Sequence, residues 1–487
     1  MSEYEVVFGD SRRHARRCTM DQRLLQNARN RVLGRRGRIV CAAAVALLCV
    51  GSDIVAERPP DARRRAGGRG GHRRTLPKEA DAVPESFVFP SFTENKIDVA
   101  AITTLAAKAP PLPAPKGAVV RVNTTEQLMA ALADAQPGTT VFLADGVYPV
   151  AERIWIKQDG ICLRGESGDR EKVIFDGSGG GPHDDMIVLR GVKDVLIADL
   201  TVRNCMHYGI LFYGDSDVQR LRIHNVKFHN VWTRGLKGTH PARIRDHGRN
   251  LHPPETVEKI RPGGGSVRYC LFVNDTIKTF ADDGFRGDYV SGMDMMGLRD
   301  WVIADNVFVG IRGKNGRGRG AIFVWQNSEN VVSERNIFVN CDRAICYGNP
   351  SGPALHMIGG VVRNNVIVNG RYSAIEIMST RDTVVYSNSV WATSMRHDTV
   401  CFSREDDGAR FYNNLVHGWV HCPDTVEHGH NIIGDLTGYF ADPEKADLRL
   451  TPKAQGAVAK GVSLPDVAED FGGTKRPGKP TLGALEP

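Results

Sequence analysis

An all-β solenoid, in which short strands stack coil upon coil, is the fold class that this sequence of 487 residues predicts. Five segments share an Asn followed by alternating apolar residues, and these begin at Asn225, Asn306, Asn336, Asn365 and Asn414. A strand-containing unit that recurs every few tens of residues indicates a solenoid whose coils bury their apolar faces on one another. The content of 52 Gly residues agrees with a tight turn after every short strand.

The spacing of the units supports parallel coils of variable length. Asp199, Cys270 and Asn388 begin similar segments, and the spacings from Asn306 to Asn414 vary between 23 and 30 residues. No pattern of an amphipathic helix separates the units, so leucine-rich repeats and βαβ folds match poorly. Asn at the corners tolerates a left-handed backbone, and its amide can form a ladder with the coil above. We therefore expect at least seven right-handed coils in parallel sheets between residue 119 and about residue 450.

A capping helix is predicted at the start of the solenoid. Thr124-Thr125-Glu126-Gln127 precedes the amphipathic segment LMAALADA and resembles a capping box, while Pro137-Gly138 ends the helix. The terminal repeat of a solenoid needs such a cover for its open core.

The chain before and after the solenoid divides into further segments. Residues 1–56 form an N-terminal extension, in which an apolar run at 39–50 follows three Arg residues and precedes small residues, as in a signal peptide. That run is shorter than a typical membrane span of about 20 residues, which favours a cleaved signal peptide. An uncleaved membrane anchor is the alternative. Residues 57–117, rich in Arg, Gly and Pro, are predicted to be a disordered linker. The solenoid then spans 118–450, and residues 451–487 form a tail that packs on it.

The distribution of charge bears on location and partners. The net charge of +7 conceals +11 in residues 1–78 and −4 in the remainder. Since nucleic-acid binding requires basic residues on the folded surface, we expect no nucleic acid as partner. We expect a monomer that is secreted or held in the cell envelope, with membrane contact only through an uncleaved N-terminal segment.

A family resemblance supports this fold. The segment VNTTEQLMAALADAQPGTTVFLADGVY, the Asn-led coils and the ending LRLTPKAQGAVAKG…LGALEP resemble bacterial proteins of the pectate-lyase-like superfamily. The resemblance covers residues 118–487 and implies a right-handed parallel β-helix with an N-terminal capping helix. That superfamily includes polysaccharide lyases, glycoside hydrolases, epimerases and proteins without known catalysis, so the resemblance leaves the activity open.

A second recurring phrase, a small residue followed by alternating apolar ones, allows the coils to be aligned. Because side chains alternate along a strand, one set points inward: Ile210, Leu236, Phe285, Ile322, Ile345 and Ile375. The next residue of each phrase forms an exposed column: Leu211, Lys237, Arg286, Phe323, Cys346 and Glu376. Two positions further on, a parallel column contains Tyr213, Thr239, Asp288, Trp325, Gly348 and Met378. This alignment places Lys237 beside Arg286.

Cations next to aromatic side chains suit an acidic polysaccharide. Aromatic faces stack on sugar rings and cations hold carboxylates, and the predicted substrate-binding residues are Tyr213, Arg234, Phe323, Trp325 and Glu376. Cleavage of a uronate chain by β-elimination needs a cation at the carboxylate and a base for the acidified ring proton. A lysine beside an arginine loses its proton more readily and can be that base.

A weaker resemblance concerns the catalytic residues. The phrases TRGLKG and GFRGDY resemble the Lys and Arg segments of the chondroitinase B and alginate lyase family. The resemblance implies that Lys237 is the base and that Arg286 assists the carboxylate or the leaving oxygen. Thr233-Arg234-Gly235 lacks the acidic calcium ligands that this family carries just before the lysine, which leaves a calcium cofactor in doubt.

Two other functions remain open. Asp282, Asp283, Asp288 and Asp294 form an acidic cluster in FADDGFRGDYVSGMD, and two carboxylates flanking a glycosidic bond would make a hydrolase. The same carboxylates are candidate metal ligands. The other alternative is a non-catalytic surface or adhesion solenoid. A deep, one-sided groove at the Lys237 face would favour an enzyme, and a flat uniform surface would favour adhesion.

Overall fold

The computed structural model describes residues 97–177, 185–242, 244–245, 249–250, 252–278, 285–350, 355–369, 372–394, 397–403, 406–464 and 466–487. The predicted export segment, most of the predicted linker, Asp282 and Asp283 lie outside these residues. No helix among the described residues is long and apolar enough to cross a membrane.

The described chain forms a parallel β-helix with two long sheets. Sheet A has 21 strands: Val119–Val122, Thr140–Leu143, Gly146–Pro149, Cys162–Gly165, Val173–Asp176, Leu196–Cys205, Arg222–Val231, Ser266–Arg268, Leu271–Val273, Val302–Ala304, Val307–Val309, Val332–Glu334, Ile337–Val339, Val361–Arg363, Val366–Asn369, Val384–Tyr386, Ser389–Ala392, Arg410–Tyr412, Leu415–His417, Glu427–Gly429 and Ile432–Gly434. Sheet B has 10 strands: Ile154–Ile156, Asp185–Leu189, Tyr208–Phe212, Arg234–Gly238, Ser291–Met296, Gly320–Trp325, Arg343–Gly348, Ile375–Met378, Asp398–Phe402 and Trp419–His421.

Short elements complete the coils and close the chain. A three-stranded parallel sheet contains Ser328–Glu329, Met357–Ile358 and Thr380–Arg381, and two antiparallel pairs join Ile244–Arg245 to Arg249–Asn250 and Phe440–Asp442 to Asp447–Leu450. The helices of the described residues are α1 (Val99–Leu105), α2 (Thr125–Asp134) and α3 (Pro254–Ile260), with 3₁₀ turns at Gly214–Ser216, Pro443–Lys445 and Pro452–Gly456. Because each strand of sheet B belongs to one coil, the prediction of at least seven parallel coils is confirmed.

The corner asparagines form the predicted amide ladder. Each side-chain amide donates to the next along the column at 2.9–3.0 Å, from Asn306 to Asn336 and onward; the other members are Asn365, Asn388, Asn414 and Asn431. The left-handed backbone, however, mostly falls on the preceding residue, as at Asp305 with a φ of 60° and Arg335 with a φ of 50°. The corner therefore needs two residues, one that turns the chain and one whose amide bonds the next coil.

Aromatic and aliphatic columns fill the interior. Phe228, Phe272, Phe308 and Phe338 stack with ring centroids 4.5–4.8 Å apart, which matches the spacing of about 4.8 Å between strands. The predicted inward column is confirmed for its aliphatic members, since Ile322, Ile345 and Ile375 are fully buried and in register.

The capping helix and the segment before it cover parts of the solenoid. The Thr124 hydroxyl accepts from the Gln127 N–H, and Leu128 and Leu132 of α2 are buried against the first coil, as predicted. Residues 97–117 were predicted to belong to a disordered linker, but the structure shows them ordered. Ile102 of α1 is buried against Leu271 and other residues of sheet A. The Pro110 carbonyl lies 3.2 Å from the His224 ring, so apolar anchoring and hydrogen bonds hold this proline-rich stretch against the coils.

The end of the chain also packs on the coils. Leu482 and Ala484 are buried in the same apolar cluster as Leu415 of sheet A. The Arg476 guanidinium donates to the Asn364 side chain at 2.9 Å, which ties the last residues to a corner of the solenoid.

Candidate functional site

Asp294 follows Lys237 in the outward column of sheet B. Lys237 is in register with Leu211 on one side and with Asp294 on the other. Beyond Asp294 the column continues through Phe323, Cys346 and Glu376. All the predicted members of this column are therefore in register except Arg286.

The predicted alignment of Arg286 with Lys237 is wrong. Phe285, predicted to face the interior, is 62% exposed, and Arg286 and Gly287 have left-handed φ values of 58° and 88°. A left-handed backbone ends an extended strand, so this segment is a loop. The strand of this coil is Ser291–Met296, and its Met296, rather than Asp288, is in register with Trp325.

The small residue of the recurring phrase faces an aromatic ring of the opposite sheet. A Cβ on Gly235 would lie 2.8 Å from the ring of Phe272, and a Cβ on Gly292 would lie 3.0 Å from the ring of Phe308. The phenylalanine column of sheet A therefore requires a residue without a side chain at this place in these coils. Gly292-Met293-Asp294 meets that requirement in register with Gly235-Leu236-Lys237.

A buried triad of charges lies at this point of the column. Arg234 Nε and Lys237 Nζ donate to the same Asp294 oxygen at 3.0 and 2.8 Å, and the other oxygen accepts from Trp325 Nε1 at 3.0 Å. Arg234, Lys237 and Asp294 are at most 5% exposed. Burial alone would raise the pKa of Asp294, but the charges and hydrogen bonds of Lys237 and Arg234 outweigh it and lower this pKa to about 2. The triad thus holds two cations for one carboxylate.

Two pairs of stacked aromatic rings lie next to the triad, and a guanidinium group covers one end of each pair. The Arg234 guanidinium lies 3.7 Å from the ring centroid of Tyr289, which stacks on Phe285 at 5.0 Å. The Arg319 guanidinium lies 4.9 Å from the ring centroid of Phe323, which stacks on Trp325 at 5.0 Å. Asp294 connects the two stacks, since it binds Arg234 in one and Trp325 in the other.

Two carboxylates shape the basic loop, which we define as residues 310–319. Asp288 accepts from the backbone N–H groups of Asn315 and Arg317 at 2.9 and 3.3 Å. The fully buried Asp342 accepts from the N–H groups of Gly313 and Gly318 at 2.8 and 2.9 Å. Burial raises the pKa of Asp342, although these hydrogen bonds oppose the effect. The loop is consequently held in one shape that turns its cations toward sheet B.

Together these elements enclose a cleft of about 890 Å³ on one side of the β-helix. Five cations contribute to its wall: Arg234, Arg286, Lys314, Arg317 and Arg319. The aromatic residues of the wall are Phe285, Tyr289, Phe323 and Trp325, and the two carboxylates are Asp288 and Asp294. Asp294 is bound within the triad and Asp288 holds the basic loop.

The remaining predicted site residues are dispersed. Glu376 lies further along the sheet, where its carboxylate binds Arg343 and Arg319. Tyr213 is not among the residues that line the cleft, and its ring lies 5.3 Å from the Arg190 guanidinium. In the described part of the chain, no group of three or more His, Cys, Asp or Glu side chains could hold a metal ion.

Sequence reasoning did not find Tyr289, Phe285 or Arg319 as parts of the site. Tyr289 and Phe285 belong to the loop that was aligned as a strand, and Arg319 belongs to the basic loop. The sequence IRGKNGRGRG of the basic loop is rich in cations, but nothing in it predicts that Asp288 and Asp342 would hold it in the wall of the cleft.

Comparison with known proteins finds likeness in fold alone. No family model matches the sequence, and no curated protein matches it. Among solved structures, an alginate lyase from Paenibacillus sp. str. FPU-7 is 12% identical with a TM-score of 0.40, covering 64% of this chain and 98% of its own. The pectate lyase Pel9A is 13% identical with a TM-score of 0.40, covering 73% and 90%. A polygalacturonase from Erwinia carotovora ssp. carotovora is 10% identical with a TM-score of 0.34, covering 68% and 96%. At these values the comparisons carry no argument about activity.

Proposed function

We propose that this protein binds an acidic polysaccharide in the cleft beside sheet B and cleaves it by β-elimination. The observation that carries the proposal is the wall of the cleft, in which five cations face two carboxylates that are already bound within the protein. Such a surplus of positive charge attracts a polyanion.

The aromatic stacks favour a sugar chain over other polyanions. Phe285 is 62% exposed at the mouth of the cleft, and Trp325 is half-buried beside the triad. Flat apolar faces next to cations match the alternating apolar ring faces and carboxylates of a uronate polymer. A large exposed aromatic side chain beside polar groups is typical of a binding surface.

β-Elimination requires three events at one uronate residue. A cation neutralises the carboxylate, a base removes the proton on the adjacent ring carbon, and the bond to the glycosidic oxygen on the next carbon breaks. The electron pair of the broken C–H bond becomes a carbon–carbon double bond, and the leaving oxygen takes a proton. Cations and the Tyr289 phenol of the wall are proposed for two of these events, and Lys237, which is bound to Asp294 and does not itself line the cleft, is proposed for proton removal.

Lys237 remains the proposed base, with Arg234 in place of Arg286 as its neighbouring cation. Arg234 and Lys237 share one oxygen of Asp294. If Lys237 gave up its proton, the Arg234–Asp294 pair would stay neutral and intact. Arg286, at the mouth of the cleft, is proposed to hold a substrate carboxylate.

Tyr289 is a half-buried proton donor in the wall of the cleft, and it interacts with the neighbouring Tyr208. We propose that the Tyr289 phenol delivers the proton to the leaving oxygen. Replacement by Phe removes that proton and leaves the ring stack unchanged, so the two roles of this side chain can be separated.

Hydrolysis through Asp288 and Asp294, the members of the acidic cluster that the structure describes, fits the site less well. A glycosidase needs one carboxyl group that is protonated near neutral pH. Asp294, with a pKa of about 2, is ionised there, and Asp288 uses its oxygens to hold the basic loop. The one-sided cleft also differs from the flat surface expected of an adhesion solenoid.

The location and assembly of the protein are proposed from the sequence. Residues 39–50 are proposed to direct export, so that the protein acts in the cell envelope or outside the cell as a monomer. N-terminal sequencing of the protein recovered from the native cell would locate the mature start.

A screen for unsaturated products tests the proposed function. The purified protein is incubated with polygalacturonate, alginate and glycosaminoglycans, and the ultraviolet absorbance of the new double bond is followed. We expect one class to be cleaved, Lys237→Met to abolish the absorbance change, and Trp325→Ala mainly to raise KM. New reducing ends without new absorbance would favour hydrolysis. No change with any polymer would overturn the proposal that the protein is an enzyme.

A further inference from the structure

A second group of buried charges lies along sheet B from the first. Glu376 binds Arg343 through one oxygen and Arg319 Nη1, at 3.3 Å, through the other. The side chains of Arg319, Arg343 and Glu376 are 21%, 14% and 9% exposed, so this group is more accessible to water than the Lys237 triad. As in that triad, two cations share one carboxylate.

The neighbouring charges do not neutralise this surplus. Arg312 and Asp342 form a separate pair at 3.5 Å. The Arg343 guanidinium is also occupied, because it donates to the Gly318 carbonyl and stacks on the ring of Tyr372. Arg319 is therefore the cation of the group with the longer contact to the shared carboxylate, 3.3 Å against 2.5 Å for Arg343.

The free edge of Arg319 has the geometry of a carboxylate clamp. Nε and Nη2 of Arg319 are buried and have no hydrogen-bond partner in the part of the chain that the structure describes. These two nitrogens form the side of a guanidinium that binds a carboxylate through two parallel hydrogen bonds. Leaving them without a partner costs free energy, which an arriving anion would recover. Arg319 belongs to the wall of the cleft, where a small shift of its side chain would present that edge.

The two groups are separated along the axis of the β-helix. In the outward column, Phe323 lies one coil from Asp294 and Glu376 lies three coils from it. The Arg319 guanidinium lies between Phe323 and Glu376, 4.9 Å from the ring centroid and 3.3 Å from the carboxylate. With a step of about 4.8 Å per coil, it is about 10 Å from Asp294, which is longer than one sugar residue. The Phe323–Trp325 stack lies between them and offers a ring face to the intervening sugars.

Resting on the proposed function, we propose that Arg319 is a second carboxylate subsite, and that the substrate is a run of consecutive acidic sugars lying along the axis. A chain that carries carboxylates at both ends of the aromatic stack engages both charge groups. A disaccharide, or a chain with isolated acidic residues, engages one. Arg319 thus sets the preference for block-type polyuronates over short or sparsely charged chains.

The test compares oligomers of different length. Affinities for a disaccharide and a hexasaccharide of galacturonate, and for the same lengths of alginate, are measured at low temperature, where turnover is slow. For the wild type we expect the hexasaccharide to bind more tightly than the disaccharide. Arg319→Gln should lose about tenfold or more on the hexasaccharide and little on the disaccharide, because one charge-assisted clamp is removed. A hexasaccharide whose carboxylates have been reduced should bind the wild type and Arg319→Gln with equal affinity.

Two further variants control for charge and for folding. Arg317→Gln removes the same charge from an exposed side chain of the same loop and should weaken both lengths by a similar factor. Glu376→Gln, which releases Arg319 from its carboxylate, should tighten hexasaccharide binding. An equal loss on both lengths in Arg319→Gln would overturn the second subsite while the proposed function stood. If the wild type bound no uronate oligomer, the proposed function would fall as well.

Discussion

Removing the Asp294 carboxylate should destabilise the protein strongly, because two cations would remain buried without a counter-charge. Asp294→Ala removes hydrogen bonds from Arg234, Lys237 and Trp325 at 2.8–3.0 Å, and the three charged side chains are almost inaccessible to water. Breaking a buried ion pair by removing one partner costs about 3–5 kcal/mol. We expect a loss of that size in the free energy of unfolding at neutral pH.

The dependence on pH gives an independent measure of the same interaction. The folded pKa of Asp294, about 2, lies below the value of 3.8 of an unperturbed Asp. A lowered folded pKa means that the carboxylate stabilises the fold fully above pH 4 and loses that contribution as the pH falls toward 2. The difference corresponds to about 2–3 kcal/mol. Asp294→Asn should therefore lack this part of the acid destabilisation of the wild type.

The assay is denaturant unfolding followed by circular dichroism and by tryptophan fluorescence, at pH 7 and at several values down to pH 2. Asp294→Asn keeps an acceptor for Trp325 and isolates the contribution of charge. Glu166→Ala is the matched control, because Glu166 binds Arg121 at 2.7 Å in a pair that is about half exposed. That exposed pair should contribute at most about 1 kcal/mol. If Asp294→Ala cost no more than Glu166→Ala, the triad would not be the stabilising unit described above.

Three further variants test how buried side chains contribute to the stability of the coils. Ile345→Ala, which truncates a fully buried side chain, should lower the free energy of unfolding by about 2–5 kcal/mol in denaturant titrations; a loss below 1 kcal/mol would contradict the inward column. Asn336→Ala leaves the Asn306 amide without its acceptor and should cost about 1–3 kcal/mol, whereas an unchanged unfolding midpoint would show that the ladder contributes nothing. Burial raises the pKa of Asp406 to about 6, so its contribution to stability is fully present below pH 4 and is lost as the pH rises through 6; Asp406→Asn should reduce that loss, and an unaltered pH profile between 4 and 7 would refute it.

The coil architecture could be predicted from the sequence because its cause is local. Each Asn-led phrase carries its own alternation of apolar residues, and alternation with period two decides which side chains face the core. For the same reason the inward positions of Ile322, Ile345 and Ile375 followed directly from the phrase, as did the capping helix from Thr124 and Gln127.

The functional cleft depended on contacts that the phrase does not encode. The sequence contains two small–apolar phrases close together, at 284–285 and at 292–293, and either can be aligned with Gly235-Leu236. The ring of Phe308, on the opposite sheet, leaves no room for a side chain at this place, and both phrases supply a glycine there. The structure has Gly292 in the strand, which places Asp294 beside Lys237 and puts Arg286 in a loop at the mouth of the cleft.

The sequence by itself therefore determined the repeat, the inward column and the outward position of Lys237, since these depend on neighbours along the chain. The tertiary structure decided which charges meet. Three contacts each join different coils. They are the ion pair of Lys237 with Asp294, the stacking of Tyr289 on Arg234, and the hydrogen bond from the basic loop to Asp342. Their energies depend on burial and on distances between coils, and both quantities exist only once the solenoid has closed around its core.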